Sequence, residues 1–223
     1  MYYTLFYSDI IHTFNNFTDF NNIKNKNNIE LLSFTNYNLT ELPDLSDCIN
    51  LHILNCSHNK ITNLPDLSML GKLKALYCHN NLLTELPDLS TLLNLETLIV
   101  AFNKLIELPQ LLNCHKLKNL YCSNNLLKDL PDFKNCCNLN SMVFSDNKLT
   151  KFPNLYLNKL IYLNCYNNLF TVLPRNILYS IKLIKYKKYK SINKITQLVN
   201  YSIEYYYYIS IMKSLNHKYI LHF

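Results

Sequence analysis

The chain has 223 residues, of which 49% are hydrophobic, enough to bury a continuous core as one domain with extensions. Its formal charge of +7 is unevenly placed: residues 1–174 carry 13 Lys and no Arg against 14 acidic residues, a net of −1, whereas residues 175–223 carry 9 basic residues against Glu204 alone, a net of +8. All of the excess charge lies in the C-terminal segment, and the near-neutral body gives no support to a duplex-binding surface.

From the N-terminus, residues 1–14 have no basic region before an apolar run, place Asp9 early and lack a small-residue cleavage site, so no secretory signal is expected. No stretch reaches the roughly 18 uninterrupted apolar residues of a spanning helix, since Tyr205–Met212 follows Glu204 and runs into Lys213. The expectation is an intracellular, reducing address with the eight cysteines as thiols. Residues 1–28 are expected to form a leader or cap. Phe14, Phe17, Phe20 and Ile23, at three-residue steps, predict an amphipathic helix over the open end of the array that begins at Ile29, with a disordered leader as the alternative.

From Ile29 the chain repeats itself. Ile29, Leu51, Leu73, Leu95, Leu117, Leu139 and Leu160 begin seven copies spaced 22, 22, 22, 22, 22 and 21 residues apart. All seven prolines, Pro43, Pro65, Pro87, Pro109, Pro131, Pro153 and Pro174, keep the same spacings. Two residue classes in one register make a repeat array. One copy reads Leu73-Lys-Ala-Leu76-Tyr-Cys78-His-Asn-Asn81-Leu-Leu83-Thr-Glu-Leu86-Pro87-Asp-Leu89. It resembles the leucine-rich-repeat pattern LxxLxLxxNxLxxLPxL over about residues 29–174, and in length and proline the shorter repeat classes of intracellular regulatory and bacterial effector proteins. The resemblance implies an α/β solenoid, an arc with a parallel sheet on its concave face, over residues 29–177.

The residues support the same architecture independently. Leu76 and Cys78 alternate with polar neighbours, the period of a short half-buried strand. One repeat cannot bury its own apolar side, so Leu73, Leu76, Cys78, Leu83, Leu86 and Leu89 must stack on their counterparts in adjacent copies. At the ninth position Asn59, Asn81, Asn103, Asn125, Asn147 and Asn168 recur, and a buried amide there can satisfy turn backbone on its own and the neighbouring repeat, a structural Asn ladder. The first repeat departs from this with Tyr37. Proline once per repeat rules out a long return helix and predicts extended or 3₁₀ convex segments.

Strand positions that do not enter the core line the concave side. The fifth position reads Ser33, Asn55, Tyr77, Ile99, Tyr121, Val143 and Asn164, polar at both ends and apolar between. With Phe102, Tyr162 and Tyr166 these residues predict an exposed partner-binding patch of Tyr77, Ile99, Phe102, Tyr121, Val143, Tyr162 and Tyr166.

The remaining candidates for chemistry are few. Cys56, Cys78, Cys122 and Cys165 share the sixth position with Phe34, Val100 and Phe144, and Cys48, Cys114 and Cys136 share the twentieth with Leu70 and Leu92, which marks them as small core residues. His58 and His79 approach one another from adjacent repeats without a third ligand in view. With no paired Cys-x-x-Cys motif, no phosphate-cradling glycine loop and no base beside an exposed thiol, neither cofactor, metal, small-molecule substrate nor enzymatic activity is expected.

Beyond Pro174, Ile192, Ile195, Val199 and Ile203 recur at helical intervals and predict a helical C-terminal cap within residues 178–223. The run Lys182, Lys185, Lys187, Lys188 and Lys190 allows a second reading, salt-dependent binding of nucleic acid or anionic lipid. The expected function is therefore a non-enzymatic, monomeric protein–protein interaction module. Alternatives are an adaptor tethered through the basic tail, or an effector-type ubiquitin-ligase adaptor, although flanks of 28 and 49 residues are short for a catalytic domain. The Asn-, Ile-, Lys- and Tyr-rich composition resembles that of A/T-biased genomes such as giant DNA viruses and some protists, in which case the address is the host cytoplasm.

Overall fold

The computed structural model describes residues 3–7, 10–14, 20–155 and 160–170. The predicted helical cap, the lysines of the basic tail and Pro174 all lie outside the described residues.

Seven three-residue strands run in parallel, one per repeat: β3 (Leu31–Ser33), β4 (Ile53–Asn55), β5 (Ala75–Tyr77), β6 (Thr97–Ile99), β7 (Asn119–Tyr121), β8 (Ser141–Val143) and β9 (Tyr162–Asn164). The register is the repeat register: Leu32, Leu54, Leu76, Leu98, Leu120, Met142 and Leu163 face one another strand by strand. Their side chains form one column of the core, which is fully buried from Leu32 through Met142. The cysteines stand in the same core. Cys48, Cys56, Cys78, Cys114, Cys122 and Cys136 are buried, Cys165 is half-buried, and Cys137 is exposed, all as free thiols.

The sheet continues past the first repeat in an unexpected form. Residues 3–7 and 10–14, expected within a helix or a leader, are instead two antiparallel strands, β1 (Tyr3–Tyr7) and β2 (Ile10–Phe14), with β1 also paired antiparallel to β3. β-branched and aromatic residues dominate both strands, and an open sheet edge supplies hydrogen-bond partners that an isolated helix lacks. The helical spacing of the phenylalanines is thus overridden at Phe14, which belongs to β2. Phe20 keeps a capping role: it is fully buried, with its ring edge-on to Phe34 at 6.0 Å. A 3₁₀ turn at Lys26–Asn28 then leads into the first repeat.

Convex segments are built from successive i→i+3 turns. In the third repeat the Leu92 N–H donates to the Leu89 carbonyl at 3.1 Å and the Leu95 N–H to the Leu92 carbonyl at 3.0 Å, and the first, second, fourth and fifth repeats do the same. A three-residue turn eclipses side chains three apart, so the seventeenth, twentieth and first positions all point into the core. Each such segment starts with an Asp-x-Ser turn after the proline in the first three repeats. The carboxylates of Asp44, Asp66 and Asp88 each accept the backbone N–H of the Ser two residues on, at 2.9 Å, and also its hydroxyl. These bonds hold all three carboxyls below the usual carboxylate range.

The ninth-position amides join one repeat to the next. Asn81 Oδ1 accepts the Ile61 N–H at 3.0 Å, while its Nδ2 donates to the carbonyls of Cys56, Cys78 and His79. Asn103, Asn125, Asn147 and Asn168 repeat this pattern, each spanning its own repeat and the one before. Asn59 accepts from both Tyr37 and Leu39 N–H groups at 3.0 Å, so the first repeat draws on its neighbour's amide although it has none of its own.

Candidate interaction surface

The concave row at the fifth position is continuous, because strand pairing aligns Tyr77 with Ile99, Ile99 with Tyr121 and Tyr121 with Val143. It is less open than expected. Tyr77, Ile99 and Val143 are buried at 3%, 1% and 4% exposure, so the expectation of a patch exposed throughout is corrected. Adjacent strands lie about 4.8 Å apart, and a large side chain flanked on both sides at that spacing is shaded by its neighbours. Tyr121 is half-buried, its hydroxyl 2.9 Å from Ser141 Oγ. The accessible members are Phe102 at 45% and Tyr162 at 40%, with Tyr166 half-buried.

His58 and His79 do meet, with rings edge to face at 4.9 Å. Burial, with a smaller contribution from His58, lowers the His79 pKa to about 3, so its ring is neutral at physiological pH. Among the described residues no group of three or more His, Cys, Asp or Glu side chains could hold a metal ion. Burial raises the core thiols, to about 11 for Cys48, Cys114 and Cys165 and about 12 for Cys122 and Cys136, leaving little thiolate for nucleophilic work. Among the described residues no helix is long and apolar enough to cross a membrane.

Two features escaped the sequence reading. A second amide series stands at the twenty-second position: Asn94 and Asn138 donate to carbonyls of the preceding repeat, Asn50 to the Asn27 carbonyl in the turn before the first repeat, and Lys72 and Lys116, in the alternate repeats, donate to Asn50 and Asn94 at 2.6 Å. The other lies on the flank beyond the C-terminal ends of the strands, where Leu82, Leu126 and Ile106 are exposed at 38%, 40% and 57%. The signal for the amides and for Leu82 and Leu126 was a difference between odd and even repeats, visible only when each position is read down the whole array.

A family model described as Leucine Rich repeats (2 copies) matches residues 49–91 and 93–135, with two 22-residue units in each match, in the register set by the prolines and the amide ladder. Residues 49–135 are leucine-rich repeats. Such arrays present extended faces to partners and generally act as interaction scaffolds rather than enzymes. Among solved structures, the repeat protein is similar to YopM from Yersinia enterocolitica WA-314, at 36% identity and TM-score 0.57, over 65% of this chain and 30% of that one. It is similar to a Shigella effector leucine-rich-repeat domain, at 33% identity and TM-score 0.59, over 68% and 64%. It also resembles YopM of Yersinia pestis, described as a leucine-rich effector protein, at 29% identity and TM-score 0.55, over 65% and 51%. The chain thus spans from under a third to just under two thirds of these proteins' lengths. No curated protein sequence matches.

Proposed function

We propose that this leucine-rich-repeat protein is a non-enzymatic, monomeric module that binds a protein partner through its concave face inside a cell. The observation that carries the reading is the division of labour among side chains. The inward-facing leucines, the six buried cysteines and the ladder asparagines are committed to the core and turns, whereas Tyr121, Tyr162 and Tyr166 present accessible aromatic surface on one side of the sheet, with Phe102 just past the end of its strand. Tyr and Phe give large contact area for little conformational entropy, the property of interface anchors. Similarity to repeat domains of bacterial effectors supports a role in recognition over one in catalysis.

The buried members of the row change the test. Replacing Tyr77 or Ile99 by Ser removes core packing and confounds binding with folding. The informative variant is Tyr121→Ser with Tyr162→Ser and Tyr166→Ser, in affinity purification from the native cell with mass spectrometry. The expected outcome is loss of the partner with an unchanged circular dichroism spectrum, and retention of the partner overturns concave-face binding.

The net charge of +8 over residues 175–223 favours one additional reading, tethering to nucleic acid or anionic lipid through Lys182, Lys185, Lys187, Lys188 and Lys190. A peptide of this segment is expected to bind RNA, DNA or anionic vesicles with an affinity that falls as salt rises, and no salt-sensitive binding to any of them refutes the tether.

A further inference from the structure

At the eighth position of each repeat the chain leaves its strand, and in all seven repeats the backbone there is left-handed, with φ between 51° and 65°. Six of these positions hold Asn36, His58, Asn80, Asn124, Asp146 and Asn167, residue types enriched in that region. The fourth repeat places Phe102 there, at φ 56°. A bulky aromatic in left-handed backbone costs the folded chain more than Asn does, and this ring is also 45% exposed, so burial does not offset that cost. A residue unfavourable on both counts points to a contact made outside the chain.

Its surroundings specify the contact. Past Phe102 the tenth and twelfth positions are exposed on either side of a buried eleventh, and in neighbouring repeats these positions stand one strand spacing apart. Leu82, Ile106 and Leu126 occupy them beside Phe102, all exposed. Lys60, Lys104 and Lys148 take the alternate tenth positions and Lys128 a twelfth, also exposed. The result is an apolar centre within a cationic surround. Asp146, the one carboxylate at the eighth, tenth or twelfth positions of repeats two to six, accepts the Asn167 amide at 2.7 Å. The adjoining thirteenth positions carry Glu85, Glu107 and Asp129, which bound the strip on its convex side.

We propose that this strip docks an extended acidic segment of a protein partner, in which an apolar side chain covers Phe102 and flanking carboxylates pair with Lys60, Lys104 and Lys148. The inference rests on the reading of the array as a protein-interaction scaffold, but commits to the flank rather than the concave face. Charge complementarity selects an acidic occupant, and the neighbouring row selects a narrow one. An anionic bilayer, being a broad plane, also presses on Glu85, Glu107 and Asp129, whereas a single extended segment avoids them.

The test pans a phage-displayed random peptide library on the full chain and measures the enriched peptides against variants. Phe102→Asn is the central one, because Asn stands at the same position in four other repeats and is expected to raise rather than lower the melting temperature. The expected peptides combine Asp or Glu with a large apolar residue and bind more weakly as salt rises. They are expected to lose about tenfold or more in affinity on Phe102→Asn or Lys104→Glu, and none on Tyr121→Ser. No enrichment, enrichment of basic peptides, or indifference to Phe102→Asn overturns the proposal. Peptides lost only on Tyr121→Ser also overturn it, while leaving the scaffold reading intact. Vesicles of phosphatidylcholine with and without phosphatidylserine form the other arm, and Phe102-dependent capture of the anionic vesicles without peptide binding assigns the strip to a membrane and overturns it as well.

Discussion

Replacing Asn125 by Ala cuts the amide ladder in the fifth repeat, and its consequence can be worked from the bonds. Asn125 is buried; its Oδ1 accepts the Leu105 N–H at 3.0 Å, and its Nδ2 donates to the carbonyls of Val100, Cys122 and Ser123. The carbonyls do not lose everything: Val100 keeps the Asn103 amide, Cys122 the Asn147 amide and Ser123 the Phe102 N–H. The Leu105 N–H loses its acceptor, which costs about 1–3 kcal/mol for a buried donor, and the emptied amide volume adds of order 0.5–1 kcal/mol. The expected loss is about 1.5–4 kcal/mol, a large part of the roughly 5–15 kcal/mol typical of a whole domain. Urea titration followed by circular dichroism measures it. Because the amide joins two repeats, the transition is also expected to broaden as the array splits into blocks.

A companion variant separates donor from acceptor. Asn125→Asp keeps an oxygen for the Leu105 N–H but turns a second one toward the Val100 and Cys122 carbonyls, where only the protonated acid can donate. The folded state then raises that carboxyl's pKa, so its own contribution to stability is fully present below the ordinary value of about 3.9 and is lost as pH rises through the folded value. An Ala variant within about 0.5 kcal/mol of the parent, or an Asp variant equal to it at neutral pH, refutes the ladder account.

Other consequences stem from burial and backbone. His79 is held neutral in the fold, its pKa lowered to about 3, so as pH falls below about 6.5 the unfolded chain takes up a proton that the native state refuses. Stability is therefore expected to fall by up to about 1.4 kcal/mol per pH unit on that side, and His79→Gln to flatten the slope; equal slopes in both proteins refute the assignment. Titration with a thiol reagent under native conditions is expected to show a rapid phase from the exposed Cys137, absent in Cys137→Ser, with the buried thiols reacting only on unfolding. Rapid reaction of more than the half-buried Cys165 in folded Cys137→Ser contradicts the core placement of the six buried thiols. Phe102→Asn is expected to stabilise the chain by about 0.5–1 kcal/mol in thermal unfolding, and a destabilisation removes the strain argument.

Much of the molecule was legible in the repeat register. Leu76 and its counterparts face one another across the sheet because a period repeated along the chain becomes a column in space, and the ninth-position asparagines were recognisable because a turn facing the core needs one buried amide per repeat. Residues 3–7 and 10–14 were not legible in this way: their short apolar pattern suits helix and strand alike, and the open edge beside Leu31–Ser33 decides for strand. Nor was the concave patch. Alternation says which side of a strand Tyr77 and Tyr162 occupy, but their exposures of 3% and 40% depend on what stands beside each residue. The sequence by itself thus determined the repeat, its register, its core columns and its ladder, all of them set by local spacing. Only the tertiary structure decided which side chains solvent reaches and where the backbone turns left-handed, because both depend on neighbours 22 residues or more away. That is why Phe102 reads in the sequence as one more apolar residue beside a strand, and in the fold as a strained, exposed ring among lysines.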